Sequence, residues 1–152
     1  MNVAIDFDGT IVEQDHAYSD LKAPLTFVPG AKEALHSLKR AGHVLILWSG
    51  RANRALRVDP NLDPLVRAGI KRMHRAAWEA AQPLQEARYR QMIDFVGREL
   101  PGVFDAIDDG EQGKPAADLF LDDQALRIGS GSTSLAWTQI ARMCGEPEEP
   151  HG

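Results

Sequence analysis

The sequence predicts an α/β fold with a mostly parallel central sheet, and three observations carry that prediction. Short apolar runs alternate with longer stretches whose apolar residues recur at helical spacing. The run Val44-Leu45-Ile46-Leu47-Trp48 is continuously apolar, as expected of a strand covered on both faces. Polar residues follow the strand-like runs: Asp6 and Asp8 after the first, Ser49-Gly50-Arg51 after the second, Asp122-Asp123 after a later one. Such sheets bind ligands outside the carboxyl ends of their strands, near the switch point. Together these features describe a Rossmann-like three-layer sandwich.

In chain order, residues 3–6 form the first strand, and residues 11–29 form an irregular excursion broken by Pro24 and Pro29. Ala31, Ala34, Leu35 and Leu38 repeat as one face of a helix, with Gly42 as its C-terminal cap. The second strand is 44–48. Asp63-Pro64 reads as an N-cap and first-turn proline, opening a helix that carries Leu65, Ile70 and Met73. Pro83 opens another helix, and Tyr89, Met92, Ile93, Val96 and Leu100 form its core stripe. Pro101-Gly102 ends that helix. Residues 103–107 and 119–121 are short strands, and a weak strand follows at 126–128. A last helix starts near Ser132 or Thr133 and ends at Gly145. Residues 146–152 are rich in Pro and Glu and form a disordered tail. The chain therefore reads as a single domain, residues 1–145, with a helical insertion at about 52–100.

Composition narrows the class. With 43% hydrophobic and 26% charged residues, the 152-residue chain suits one soluble domain with one core. A net charge of -5 gives no global attraction to nucleic acid or to an anionic membrane. Cys144 is the only cysteine, so no internal disulfide forms, which suits a reducing, cytoplasmic location. Neither a signal peptide nor a membrane span is expected, since Asp6 interrupts the first apolar stretch.

The chemistry is concentrated in Asp6-Phe7-Asp8-Gly9-Thr10. Two carboxylates one residue apart share a side of an extended backbone. Gly9 permits a tight turn whose amides, at Gly9 and Thr10, can face an anion. Such a place holds a divalent cation and a phosphoryl group together. A carboxylate can attack phosphorus, and Mg²⁺ needs only one or two carboxylates plus other oxygens. Ser49 and the neighbouring amides, Gly50 among them, can hold a phosphate oxygen. Lys114, in the loop before the strand at 119–121, can neutralise the charge shared between nucleophile and phosphoryl group. Asp8 can protonate a leaving alcohol and later activate water.

These motifs resemble those of the haloacid dehalogenase (HAD) superfamily of phosphohydrolases. Asp6-Phe7-Asp8-Gly9-Thr10 is similar to its first motif and Leu45-Ile46-Leu47-Trp48-Ser49 to its second. Lys114 corresponds to the third, and Leu119-Phe120-Leu121-Asp122-Asp123 to the fourth, in the family order. The resemblance spans roughly residues 3–127. It implies that Asp6 is the nucleophile and a Mg²⁺ ligand, and that Asp8 is the general acid and base with its carbonyl on the metal. It further implies that Asp122 ligates the metal, that Asp123 supports the metal or its waters, and that Ser49 and Lys114 bind the phosphoryl group. An aspartate at position 8 favours phosphate chemistry over dehalogenation. The space from Thr10 to Ser49 holds a loop, one helix and a strand, with no room for a separate cap domain. Small relatives without a cap act on exposed phosphates, on proteins or nucleic acids among others, or borrow a cover by homo-oligomerising.

The expectation is a Mg²⁺-dependent phosphomonoesterase with an open site, acting on a phosphorylated small molecule, a nucleotide or a polynucleotide end. Residues 51–75 carry Arg51, Arg54, Arg57, Arg67, Lys71, Arg72 and Arg75 against Asp59 and Asp63. That strip reads either as a solvated helix face or as a binding surface for further phosphates. Arg51, directly after Ser49-Gly50, is its best candidate phosphate ligand. Asp108-Asp109 imitates the fourth motif but precedes Lys114, so Asp122-Asp123 is preferred. Asp118 is expected near the site as a loop cap. Glu13 and His16 are read as exposed loop residues, His36, His43 and His74 as surface or helix-end residues, and Trp48 as core. Trp78 and Trp137 fit either core or surface. Two rivals from other classes are a receiver-like phosphate-accepting signalling module and a catalytically idle binding protein of the same fold.

Overall fold

Among the described residues, four parallel strands form one sheet in the order β3-β2-β1-β4. In the computed structural model, residues 1–52, 75–123 and 137 are described. The elements are β1 (Asn2–Ile5), α1 (Ala31–Arg40), β2 (Val44–Leu47), a 3₁₀ turn (Gly50–Ala52), α2 (Arg75–Glu99), β3 (Ala106–Ile107) and β4 (Leu119–Leu121). The chain steps from β1 to β2 to β3 on one side, then returns to the far side of β1 as β4. The switch point therefore lies between β1 and β4, as an α/β fold of this kind requires.

Register brings the strand ends to one edge. Ile5 is paired with Leu47 and with Leu121, and Leu47 with Ile107. The ladder continues one residue further: the Asp6 amide donates to the Leu121 carbonyl at 2.9 Å, and the Trp48 amide to Ile5 at 3.0 Å. The Asp108 amide donates to Leu47 at 2.8 Å. Asp6, Trp48, Asp108 and Asp122 thus line one edge because the backbone pairing places them there.

Alternation sets the core. Val3, Ile5, Leu45, Leu47 and Leu121 share one face and join a single cluster with Ala31, Ala34, Leu35 and Leu38 of α1 and Met92, Phe95 and Val96 of α2. The α1 residues are those expected from the spacing. Its C-terminus closes as a Schellman motif, with Gly42 left-handed at φ 86. The His43 amide reaches the Leu38 carbonyl and the Gly42 amide reaches Lys39. The opposite face differs from the expectation of full cover: Ile46, Trp48 and Phe120 are half-buried, and Val44 is exposed. None of these residues joins that core cluster. Trp48 is therefore not a core residue. Among the described residues, α1 and α2 supply one helical layer, against the first face.

Pro83 does not open a helix; α2 runs continuously through it. A proline inside a helix forfeits one backbone hydrogen bond and crowds the carbonyl four residues back. Pro83 is exposed, where water can take the freed carbonyl. The strand expected at 103–107 is shorter, because Asp105 takes over the pairing before Ala106. Its amide donates to the Leu45 carbonyl at 2.8 Å and its carboxylate accepts from the Leu45 amide at 2.9 Å. That amide and the ammonium of Lys39 hold the Asp105 carboxyl below its usual range, Lys39 most strongly.

The excursion after β1 folds back on itself. Val12 bridges Phe27, the Glu13 amide donates to Thr26 and the Val28 amide to Ile11. Ile11, Val12 and Val28 are buried, while residues 17–22 are exposed. Among the described residues, no helix is long and apolar enough to cross a membrane. The helix expected from Asp63, the strand at 126–128, the last helix apart from Trp137, Cys144, the tail, Trp78's surroundings and most of the basic strip lie outside the described residues.

Candidate active site

Asp6 occupies the first position beyond β1, at the switch point. Its carboxyl is pushed up to about 7, chiefly by loss of water on burial. The Phe7 amide pulls the other way, while the charges of Asp123, Asp8 and Asp122 push it further up. Three other carboxylates therefore share its field. Asp122 and Asp123 stand there because β4 pairs directly with β1. Asp108 and Asp109 end β3, with β2 between them and β1, so the choice of Asp122-Asp123 fits the topology.

The turn at 7–12 closes on its own carbonyls. The amides of Thr10, Ile11 and Val12 all converge on the Phe7 carbonyl, at 3.3, 2.9 and 3.1 Å, and the Gly9 amide donates to Val12 at 2.8 Å. The amides of Gly9 and Thr10, expected to face a phosphate, are thus engaged within the turn. Gly9 is left-handed at φ 76, and a β-carbon there would lie 2.9 Å from Asp123 Oδ2. Only glycine lets the turn and the fourth motif approach this closely. Thr10 is buried; its carbonyl accepts from Trp137 Nε1 at 2.7 Å, and its hydroxyl has no partner among the described residues.

Asp8 is gripped by Arg51, whose Nε and Nη2 donate to its two oxygens at 2.8 and 2.7 Å. This planar fork is the strong geometry for a guanidinium and a carboxylate. Arg51 is 3% exposed. Its Nη1 donates to the Arg88 carbonyl and to Gln91 Oε1, both at 2.9 Å, and its guanidinium lies over the Phe7 ring. Arg51 therefore holds Asp8 in place of the phosphate assigned to it from the sequence, because burial directs its fork inward. Ser49 is buried, and its hydroxyl accepts the Arg51 amide at 3.2 Å.

Lys114 lies over aromatic rings, its Nζ 4.2 Å from the Phe120 centroid and 5.9 Å from that of Trp48. Phe120 and Trp48 themselves meet edge to face at 5.6 Å. Asp118 sits at the opposite edge of the sheet: its Oδ2 accepts the Asn2 amide at 2.7 Å and its amide donates to the Asn2 carbonyl. It caps β1 and β4 at their start and is remote from the strand ends, which corrects its expected place near the site. His16 contacts the neighbouring Asp15, and His43 the N-terminal amine.

Three residues escaped the sequence reading. Arg88 lies beside Asp8, Nη2 to Oδ2 at 3.6 Å, and donates to the Tyr18 carbonyl at 2.7 Å. Burial, and next the charge of Arg51, push its guanidinium below its usual value. Gln85 donates to the carbonyls of Gly50 and Arg51, both at 3.0 Å, and accepts from the Tyr18 hydroxyl. Gln91 donates to the Leu21 carbonyl. A signal was present: Gln85 and Arg88 continue the phase of Met92 and Phe95 at i, i+3, i+7 and i+10. Polar residues extending an apolar stripe are candidates for buried hydrogen-bonding roles.

The donor set suits a hard divalent cation. Asp6, Asp122 and Asp123 could offer carboxylate oxygens, and the crowding of carboxylates around a buried Asp6 would be relieved by positive charge. No three acidic, histidine or cysteine side chains among the described residues are gathered as a metal cluster. A Mg²⁺ site built from two carboxylates, a carbonyl and waters does not require one. No protein-family model matches the chain, and neither does any curated protein. A solved structure, described as that of a conserved protein from Bacteroides thetaiotaomicron, is 26% identical, covers 94% of this chain and 88% of that one, and superposes with a TM-score of 0.45.

Proposed function

We propose that this chain is a Mg²⁺-dependent phosphomonoesterase of HAD type that works through a phosphoryl group carried on Asp6. The observation that carries the reading is the position of Asp6: at the switch point, buried, and in the field of Asp8, Asp122 and Asp123. An Asp6 oxygen attacks phosphorus as the ester P–O bond breaks, and the leaving alcohol takes its proton from Asp8. Water then attacks the aspartyl-phosphate and gives a proton to Asp8. The P–O bond to Asp6 breaks, releasing orthophosphate and the free carboxylate. Arg51 orients the Asp8 carboxyl, and Ser49 holds a phosphoryl oxygen. Lys114, on the loop beside the site, reaches the phosphoryl group by leaving its aromatic rest. Asp6, Asp122 and the Asp8 carbonyl would hold Mg²⁺, with Asp123 in support, and the ion would supply positive charge against the phosphoryl oxygens. The substrate is a phosphorylated small molecule, a nucleotide or a polynucleotide end, and the single cysteine suits a cytoplasmic enzyme.

The fork of Arg51 on Asp8 favours one rival, a receiver-like module that accepts phosphate without turning it over. Phosphate release from a generic aryl phosphate separates the two. We expect multiple turnovers with Mg²⁺ and loss of at least about 100-fold in excess EDTA, restored by Mg²⁺. Multiple turnovers that continue unchanged after verified metal removal would contradict the proposal. A single phosphorylation without release would favour the receiver.

A further inference from the structure

The half-covered face of the sheet carries a cavity of about 300 Å³ next to the strand ends. Apolar Ile46, Trp48, Ala106 and Pro115 line it together with polar Asp108 and Gln112. Its size is at the lower end of small-molecule sites, which span roughly 300–1,000 Å³. Trp48 is half-buried, and it directly precedes Ser49. The loop at 108–116 that roofs the cavity also carries Lys114. The cavity is centred on β2 and β3, whereas Asp6 ends β1. Neighbouring strands are about 4.8 Å apart, so one or two strand spacings separate a phosphoryl group at Asp6 from the cavity.

We propose that this cavity is the leaving-group subsite of the phosphatase and that it takes a nucleoside. The inference rests on the phosphatase reading above. Trp48 offers a flat indole to a base, and stacking of this kind tolerates any base. Apolar walls beside it exclude water from the base faces. The amide oxygen of Gln112, in the lining, can accept hydrogen bonds from the hydroxyls of a ribose or the amino groups of a base. Asp108 and Asp109 are oriented by the Gly110 and Glu111 amides, each donating to a carboxylate oxygen at 2.8 Å.

Calorimetric titration of the 152-residue chain with adenosine, which needs no catalysis, tests the subsite separately from the reaction. Adenosine should saturate at submillimolar to low millimolar concentration, and ribose over the same range should give no binding. Trp48→Ala removes the stacking surface, and Ala116→Phe fills the cavity from an exposed position. Each should weaken adenosine by about tenfold or more. If Trp48→Ala fails to fold, Ala116→Phe decides alone. The proposal is overturned by no saturation with adenosine, by ribose binding equally well, or by unaltered affinity in the folded Ala116→Phe chain. A chain that binds adenosine in this way but releases no phosphate keeps the subsite and loses the phosphatase. A chain that hydrolyses aryl phosphate and ignores adenosine does the reverse.

Discussion

At the scale of single residues, Gly9 and Asp6 bear the tightest constraints. Gly9→Ala would place a methyl against Asp123 Oδ2 while forcing alanine into φ 76. The left-handed backbone alone costs roughly 1–2 kcal/mol, and Asp123 must move as well. Chemical denaturation should show a loss of about 2 kcal/mol or more; a neutral substitution would mean that the turn relaxes freely. Asp6 makes the opposite prediction. Its folded carboxyl titrates near 7 against an unperturbed 3.8, so between those values the native chain binds more protons than the unfolded one. Stability from this group is full below the lower value and is lost as pH rises through the upper one. In EDTA, Asp6→Asn should therefore gain on the wild type between pH 4 and pH 8, by up to about 3 kcal/mol. A pH-independent difference would show that burial of Asp6 does not control its ionisation.

At the scale of elements, α2 locks the acid end of the site. Through Gln85 and Arg88 it holds the turn after β2 and the excursion after β1 together, with Arg51 between them on Asp8. Removing Arg51 breaks a buried ion pair, whereas Arg88 has an unpartnered buried Nε and contacts Asp8 only at 3.6 Å. Arg51→Ala should cost about 3 kcal/mol or more, because the paired charge is lost in a poorly solvated place. Arg88→Met gives up the Tyr18 carbonyl and the looser contact with Asp8 but keeps an apolar chain of similar length, so it should cost less than Arg51→Ala. Urea denaturation of both variants checks the order; the reverse order would place the stabilising pair at Arg88. Of this lattice, the sequence signals only the phase of Gln85 and Arg88 with Met92 and Phe95, not the partners they take. Its contacts join residues 34–43 positions apart, or up to 70 with Tyr18 and Leu21 included, and no local period announces such pairings. Pro83 misled for a related reason: its exposed position, which a sequence does not state, decides whether a helix tolerates it.

At the scale of the whole molecule, the sheet and the edge that gathers the acids were readable because they follow from backbone rules. Parallel strands carry apolar runs, their carboxyl ends align, and Asp6, Asp8 and Asp122-Asp123 stand at those ends in sequence as in space. What the carboxylates and cations touch was not readable. The fork of Arg51 turns inward, Lys114 rests on Phe120, and the amides of Gly9 and Thr10 close their own turn. Each is a choice among partners that only the folded surroundings make. The central claim is that Asp6 carries the phosphoryl group, and acid-quenched mass spectrometry tests it most directly. After incubation with Mg²⁺ and an aryl phosphate, the wild-type chain should gain one phosphoryl group on the peptide containing Asp6. Asp6→Asn should gain none and release no phosphate. Turnover that persists in the folded Asp6→Asn chain, or a phosphoryl group found on another residue of the wild type, would contradict the account.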